Sequence, residues 1–176
     1  MLTVDFDRLD VRAGHHFLDI GAGAGRHSYE AARRGAHVVA LDYDPGDLLD
    51  VAVMLGAMVE AGEAPVDIGL MVMRGNALSL PFPDASFDRI VVSEVLEHIG
   101  DDAGVLAEIH RVLKPGGIMA ATVPSWFPEK ICWALPDEYY APKAPGAHLR
   151  TYTEGEIRQK MRAASLTPTQ WKAARS

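Results

Sequence analysis

The chain has 176 residues, 48% of them apolar, and a formal net charge of −7. That is one domain's worth of sequence, long enough to bury a sizeable core. With no run of lysine or arginine, the composition argues against a nucleic-acid backbone as the main partner. The single cysteine, Cys132, excludes an internal disulfide. The N-terminal residues lack the basic and apolar regions of a signal peptide, and no apolar stretch reaches the length of a membrane span, so a cytoplasmic location is expected.

In chain order, His16–Ile20 reads as a short apolar strand. Gly25–Arg34 reads as a helix ended by Gly35. His37–Leu41 is a valine-rich strand. Asp44 and Pro45 open a helix that runs to about Glu60, with aspartate at the cap and proline in the first turn. A loop over Gly62–Asp67 leads to a strand at Leu70–Met73. Phe87–Val92 is a fourth strand, and Ser93–Ile99 a short helical turn. Asp101–Leu113 is an amphipathic helix whose apolar positions recur at helical spacing. Lys114-Pro115-Gly116-Gly117 stops it, and Ile118–Val123 is a fifth strand. Thr153–Ala164 is a last helix, with Thr153 and Glu156 placed as a capping box. One more strand has room after it, near Thr167–Ala173.

Strands alternating with helices imply a mostly parallel, doubly wound sheet: a Rossmann-like α/β fold in three α/β/α layers, formed by a single domain. Ligands of such sheets sit beyond the carboxyl ends of the strands, where the strand order reverses. The first strand ends in Asp19-Ile20-Gly21-Ala22-Gly23-Ala24-Gly25. Glycines there let backbone approach a ligand closely. The dinucleotide fingerprint wants its third glycine one place later, where Arg26 stands. Asp19 is unsuited to a pyrophosphate and suited to a ligand carrying an ammonium group. Asp42, ending the second strand, can accept both hydroxyls of a ribose, a device that NAD enzymes share. Tyr43 can lie against an adenine. Asn76 can bond an adenine edge or act only as a turn residue after Gly75. Glu94 and His98, four apart, read as a helix contact rather than a metal site.

The stretches LDIGAGAGRH, VVALDYDP, GNALSLPFPDASFDRIVVSEVLEHI and LKPGGIMAATVP stand in the order and at the spacing of the class I methyltransferases. The run from Leu18 to Val123 resembles that family, and is most similar to its ubiquinone- and menaquinone-biosynthesis type. The resemblance implies S-adenosylmethionine as cofactor and a small-molecule acceptor. It implies that Asp19, Gly21, Gly23 and Gly25 line the methionine end, Asp42 holds the ribose and Tyr43 flanks the adenine. Asn76 and Ala77 would read the adenine edge; the family more often has aspartate at position 76. Ser93 and Glu94 would border the methyl-transfer site. Residues 124–152, rich in aromatics and prolines, are expected to form the lid and acceptor pocket, suited to an apolar or ring-bearing acceptor. If a base is needed, the candidates are His148, then His98 and Glu94. Against the family's pattern, few residues precede the first strand and the C-terminal strand pair reads as incomplete. An open edge on the fifth strand would then favour a homodimer. Two other functions share this pattern: an NAD-dependent oxidoreductase, and a non-catalytic module that keeps the cofactor site.

Overall fold

The computed structural model describes residues 2–123 and 150–170. Its centre is a five-stranded sheet in the order β3-β2-β1-β4-β5, every pairing parallel. The strands are β1 (His16–Ile20), β2 (His37–Asp42), β3 (Leu70–Arg74), β4 (Phe87–Ser93) and β5 (Leu113–Thr122). The helices are α1 (Phe6–Leu9), α2 (Arg26–Arg33), α3 (Leu48–Glu60), α4 (Asp102–Val112) and α5 (Glu154–Ala163), with a 3-10 turn at Leu96–His98. The order reverses between β1 and β4, where the connections lead off to opposite sides, and the crevice expected of such a sheet opens there.

Both faces of the central strands β1, β2 and β4 are buried, so these strands are largely apolar at successive positions and alternate between two cores. Phe17, Val38, Ala40 and Val91 point to one face, packing with Phe6, Ala31, Val51, Leu55 and Met58 of α1, α2 and α3. Leu18, Ile20, Leu41, Ile90 and Val92 point to the other, packing with Leu106, Ile109 and Ile157 of α4 and α5. Asp19 shares the face of Phe17 by the same alternation, which sends its carboxylate toward α2. Leu18 and Ile20 leave no such polar group on the opposite side.

Two local expectations change, and the chain adds one element that the sequence does not announce. The helix expected to open at Asp44 starts at Leu48, with Asp47 as its cap residue. Asp44 instead accepts from the Gly46 N–H, and the Leu48 N–H bonds to the Pro45 carbonyl, so the chain makes one more turn first. An aspartate that can close a local turn two residues on competes with its own use as a cap. Second, Lys114–Gly117 ends α4 without ending the chain's pairing. Leu113 already lies beside Phe87, and the register resumes at Arg89 with Ile118, so these four residues form an irregularity inside β5. The added element is the short helix α1 near the N-terminus, capped by Asp5 and buried through Phe6 and Leu9.

The capping box at Thr153 is present in both directions. Residues 167–170 form no strand; the rest of the strand expected over Thr167–Ala173 lies outside the described residues. Arg111 locks the segment before β4 to α4: it donates to the Phe82 and Leu80 carbonyls and to Asp84 and Glu108, over 2.7–3.0 Å. Among the described residues, no helix is long and apolar enough to cross a membrane.

Candidate active site

A cavity of about 790 Å³ opens at the carboxyl ends of β1, β2 and β4. Its floor is the turn between β1 and α2. Gly21, Gly23 and Gly25 all have positive φ, at 71°, 47° and 80°. That region is strained for residues with a Cβ. The three positions differ in surroundings. A methyl group at Gly21 would run into the Val95 side chain, one at Gly25 would meet the Tyr29 ring, and one at Gly23 would meet nothing. Gly21→Ala is therefore expected to lower stability by about 2 kcal/mol, and Gly23→Ala by about 1 kcal/mol, the backbone cost alone. Urea denaturation of the two variants checks the order.

Asp42 ties this turn to β2. One carboxylate oxygen accepts from the Gly23 N–H at 2.8 Å, and the other from the Asp44 N–H at 2.9 Å. A carboxylate has about four acceptor sites, so it keeps capacity for a ligand's hydroxyls. Tyr43 projects beside it, 68% exposed, with the Arg74 guanidinium 5.4 Å from its ring centroid. Asn76 closes a turn: its carbonyl oxygen accepts from the Leu78 N–H at 3.0 Å. The turn role is therefore real, and the amide's two N–H donors are what it can offer an adenine edge. Ala77 is buried beside it.

At the other end, Ser93 terminates β4 and sits in a hydroxyl cluster, 2.7 Å from Thr122 Oγ1 and 2.9 Å from Thr3 Oγ1. Glu94 follows in a left-handed conformation, φ 57°, its N–H held by the Thr122 carbonyl. Non-glycine residues held there tend to mark functional sites. Val95, His98, Ile99 and Gly100 continue this wall.

Of the residues expected to bind the cofactor, the cavity brings together Gly21, Gly23, Asp42, Tyr43, Asn76, Ala77 and Ser93. Glu94 and His98 line it as well. Asp19 and Gly25 do not. Gly25 is covered by Tyr29, and Asp19 lies fully buried behind the turn because odd positions of β1 face α2. Its Oδ2 accepts from the Ser28 hydroxyl at 2.7 Å, and its Oδ1 has no hydrogen-bond partner among the described residues. Burial pushes this carboxyl up to about 6, against the opposing Ser28 bond. His27, also buried, stands with Nδ1 4.0 Å from Asp19 Oδ1 and is pushed down to about 4 by burial, then by the Arg26 charge. His148 and residues 124–149 of the expected acceptor segment lie outside the described residues. Its end, Arg150 and Tyr152, is anchored on Asp102.

The sequence reading missed Arg26 and His27 as lining residues, and Thr3 as a contact of the site. Arg26 was visible only as the residue that breaks the dinucleotide glycine spacing. Thr3 reaches Ser93 across 90 positions of sequence, and nothing local signals that contact.

The profile of the family described as "Methyltransferase domain" matches residues 18–121, more than half of the chain. The chain is 38% identical over 109 residues to a protein from Thermobifida fusca named demethylmenaquinone methyltransferase, covering 62% of this chain and 43% of that one. It is 30% identical to a protein of the same name from Streptomyces avermitilis, covering 93% of this chain and 73% of that one. Against the curated relatives it matches over the core alone, the chain spans about two fifths of their length. A solved SAM-dependent methyltransferase from Methanosarcina mazei superposes with a TM-score of 0.71 at 23% identity, covering 93% of this chain and 85% of that one, which shows a shared fold. The matched residues are those that build the cavity, and the chain belongs to the methyltransferase-domain family.

Proposed function

We propose that the cavity binds S-adenosylmethionine and that the chain directs its methyl group to a small-molecule acceptor. The observation that carries this reading is the turn Gly21–Gly25 at the β1/β4 switch point. It presents backbone with almost no side chain to a cavity of about 790 Å³, within the range that encloses a ligand of this size. Asp42 and Asn76 offer polar groups on the β2 side of β1, and Ser93 and Glu94 on its β4 side, so the cavity has polar groups for both a nucleoside and an amino-acid end. Bound there, S-adenosylmethionine supplies a methyl carbon activated by a positively charged sulfur. The chain's share of the work is then alignment and exclusion of water, and no protein nucleophile is required.

The acceptor end has apolar walls in Val95 and Ile99. Together with the names of the curated relatives, this supports a ring-bearing, quinol-like acceptor. A base matters only if that acceptor must first lose a proton. Glu94 and His98 line the cavity and are within reach of that role.

Thermal unfolding with S-adenosylhomocysteine tests the binding. At about 100 times Kd, a ligand specific for the folded chain contributes about 2.7 kcal/mol and raises the midpoint by about 5–10 °C. NADH at the same concentration is expected to give no shift. A folded chain that ignores millimolar S-adenosylhomocysteine overturns the proposal. Release of S-adenosylhomocysteine in the presence of demethylated quinols then tests turnover.

A further inference from the structure

Arg26 opens α2 and lines the cavity. Among the described lining residues it is the one side chain with a permanent positive charge. Its partners are distant: Nη2 is 3.4 Å from Ser93 Oγ and 3.6 Å from Glu94 Oε2. Charge-assisted contacts of arginine are normally near 2.8 Å. The anchored arginines of this chain, Arg111 and Arg150, make their bonds at 2.6–3.0 Å. Among the described arginine–carboxylate pairs, only exposed surface ones such as Arg33–Glu63 and Arg8–Asp5, at 3.3 and 3.5 Å, are as loose as Arg26. The Arg26 guanidinium is thus a loosely held fork of donors facing a cavity, with an exposed carboxylate as its stand-in partner. The cap residue of α2, Gly25, makes no side-chain bond to the helix start, so the positive end of the helix adds its field at the same place.

We propose that Arg26 recognises the α-carboxylate of the amino-acid end of S-adenosylmethionine, displacing Glu94 from its guanidinium. This rests on the reading of the cavity given above. A nucleoside end held by Asp42 and Asn76 leaves the amino-acid end beside Ser93, where Arg26 already stands. A guanidinium meets a carboxylate through two parallel bonds, which its 3.6 Å contact with Glu94 does not achieve. The displaced Glu94 is 56% exposed. Water takes up its charge, so the exchange costs little.

Titration calorimetry with two ligands tests this. One is S-adenosylhomocysteine; the other is its decarboxylated analogue, which keeps the amine and lacks only the carboxylate. Arg26→Met is expected to weaken S-adenosylhomocysteine by about tenfold or more and the analogue by less than about twofold. Arg26→Lys should recover part of the loss, as a point charge without the fork. Equal weakening of both ligands would mean that Arg26 only shapes the turn, and unchanged S-adenosylhomocysteine binding would mean that it makes no contact. Either result overturns the assignment while leaving the cavity's function intact. Failure of the wild-type chain to bind either ligand overturns both.

Discussion

Asp102→Ala is expected to lower the unfolding free energy by about 3 kcal/mol, the scale set by removing one partner of a buried, multiply bonded charge. Asp102 is the first residue of α4 and is 3% exposed. Its Oδ2 accepts from Arg150 at 2.9 Å and from the Tyr152 hydroxyl at 2.6 Å, and its Oδ1 from Lys160 at 2.8 Å. Alanine would take an acceptor from all three donors; Arg150 and Lys160 are partly exposed to water, but the Tyr152 hydroxyl, 2% exposed, would keep only the Leu96 carbonyl. Asp102→Asn keeps the size and loses the charge, so its cost should fall between the two. The Asp102 carboxyl is held below its ordinary value of 3.8: burial raises it, but the bonds from Lys160 and Tyr152 and the nearby positive charges outweigh that. A depressed folded pKa means that the unfolded chain binds the proton more readily. The contribution is therefore complete above the unfolded pKa and is lost as pH falls through the folded one. Urea denaturation at pH 7 and pH 3 should show the gap between wild type and Asp102→Ala shrinking at the lower pH; a gap unchanged with pH would exclude the ionic account. The same contacts matter to the site. Arg150 also donates to the Gly100 carbonyl, and Gly100 lines the cavity, so the clamp fixes the far wall from behind.

The residues that betray themselves in sequence are those whose role is local or periodic. β1, β2 and β4 are legible because a strand buried on both faces must be apolar at every step, and Phe17 through Ile20 are, with Asp19 the exception. Thr153 and Glu156 are legible because a capping box satisfies donors only three residues apart. The glycine turn is legible because left-handed φ at alternating positions leaves few other residues to choose. What escapes is decided by contacts far along the chain. The helix at Phe6–Leu9 is too short to show a period, and it is held by Phe6 against Phe17 and His27. Asp42, Asp44 and Asp47 could each cap a helix. In the structure Asp42 holds the N–H groups of Gly23 and Asp44, Asp44 holds that of Gly46, and Asp47 takes the cap position without a side-chain bond to the helix. Asp19 is chemically suited to a cationic ligand, but strand alternation turns it toward α2, so it acts on the cavity from behind the glycine turn.

That placement leads to the second large effect. In wild type, Asp19 and His27 pull the pH dependence of stability in opposite directions. Asp19 rises from 3.8 to about 6 on folding, so the folded state holds its proton more tightly than the unfolded state. This contribution is full below pH 3.8 and is lost as pH rises through about 6. His27 falls from 6.5 to about 4. The unfolded state therefore binds its proton more tightly, and that contribution is present above pH 6.5 and lost as pH falls through about 4. The two largely cancel between pH 4 and pH 6.5. Asp19→Asn removes one side of the balance and leaves Ser28 an acceptor. Relative to wild type, the variant is expected to gain about 2 kcal/mol as pH rises from 4 to 7, read by urea denaturation. Asp88, Asp102 and the other titrating groups are common to both chains and drop out of the difference. The same substitution should harm binding. An ionised Asp19 in a dry interior attracts a cationic ligand strongly. By linkage, a bound cation holds the carboxyl ionised, so S-adenosylmethionine should bind wild type more tightly at pH 7.5 than at pH 5. In Asp19→Asn that pH dependence should vanish, with the affinity set near the weaker wild-type value. A variant that is more stable at neutral pH and yet binds less well separates electrostatics from folding, because structural damage would lower both. If affinity instead keeps its wild-type pH dependence in the variant, the proton that matters sits elsewhere, and Asp19 contributes only to the core.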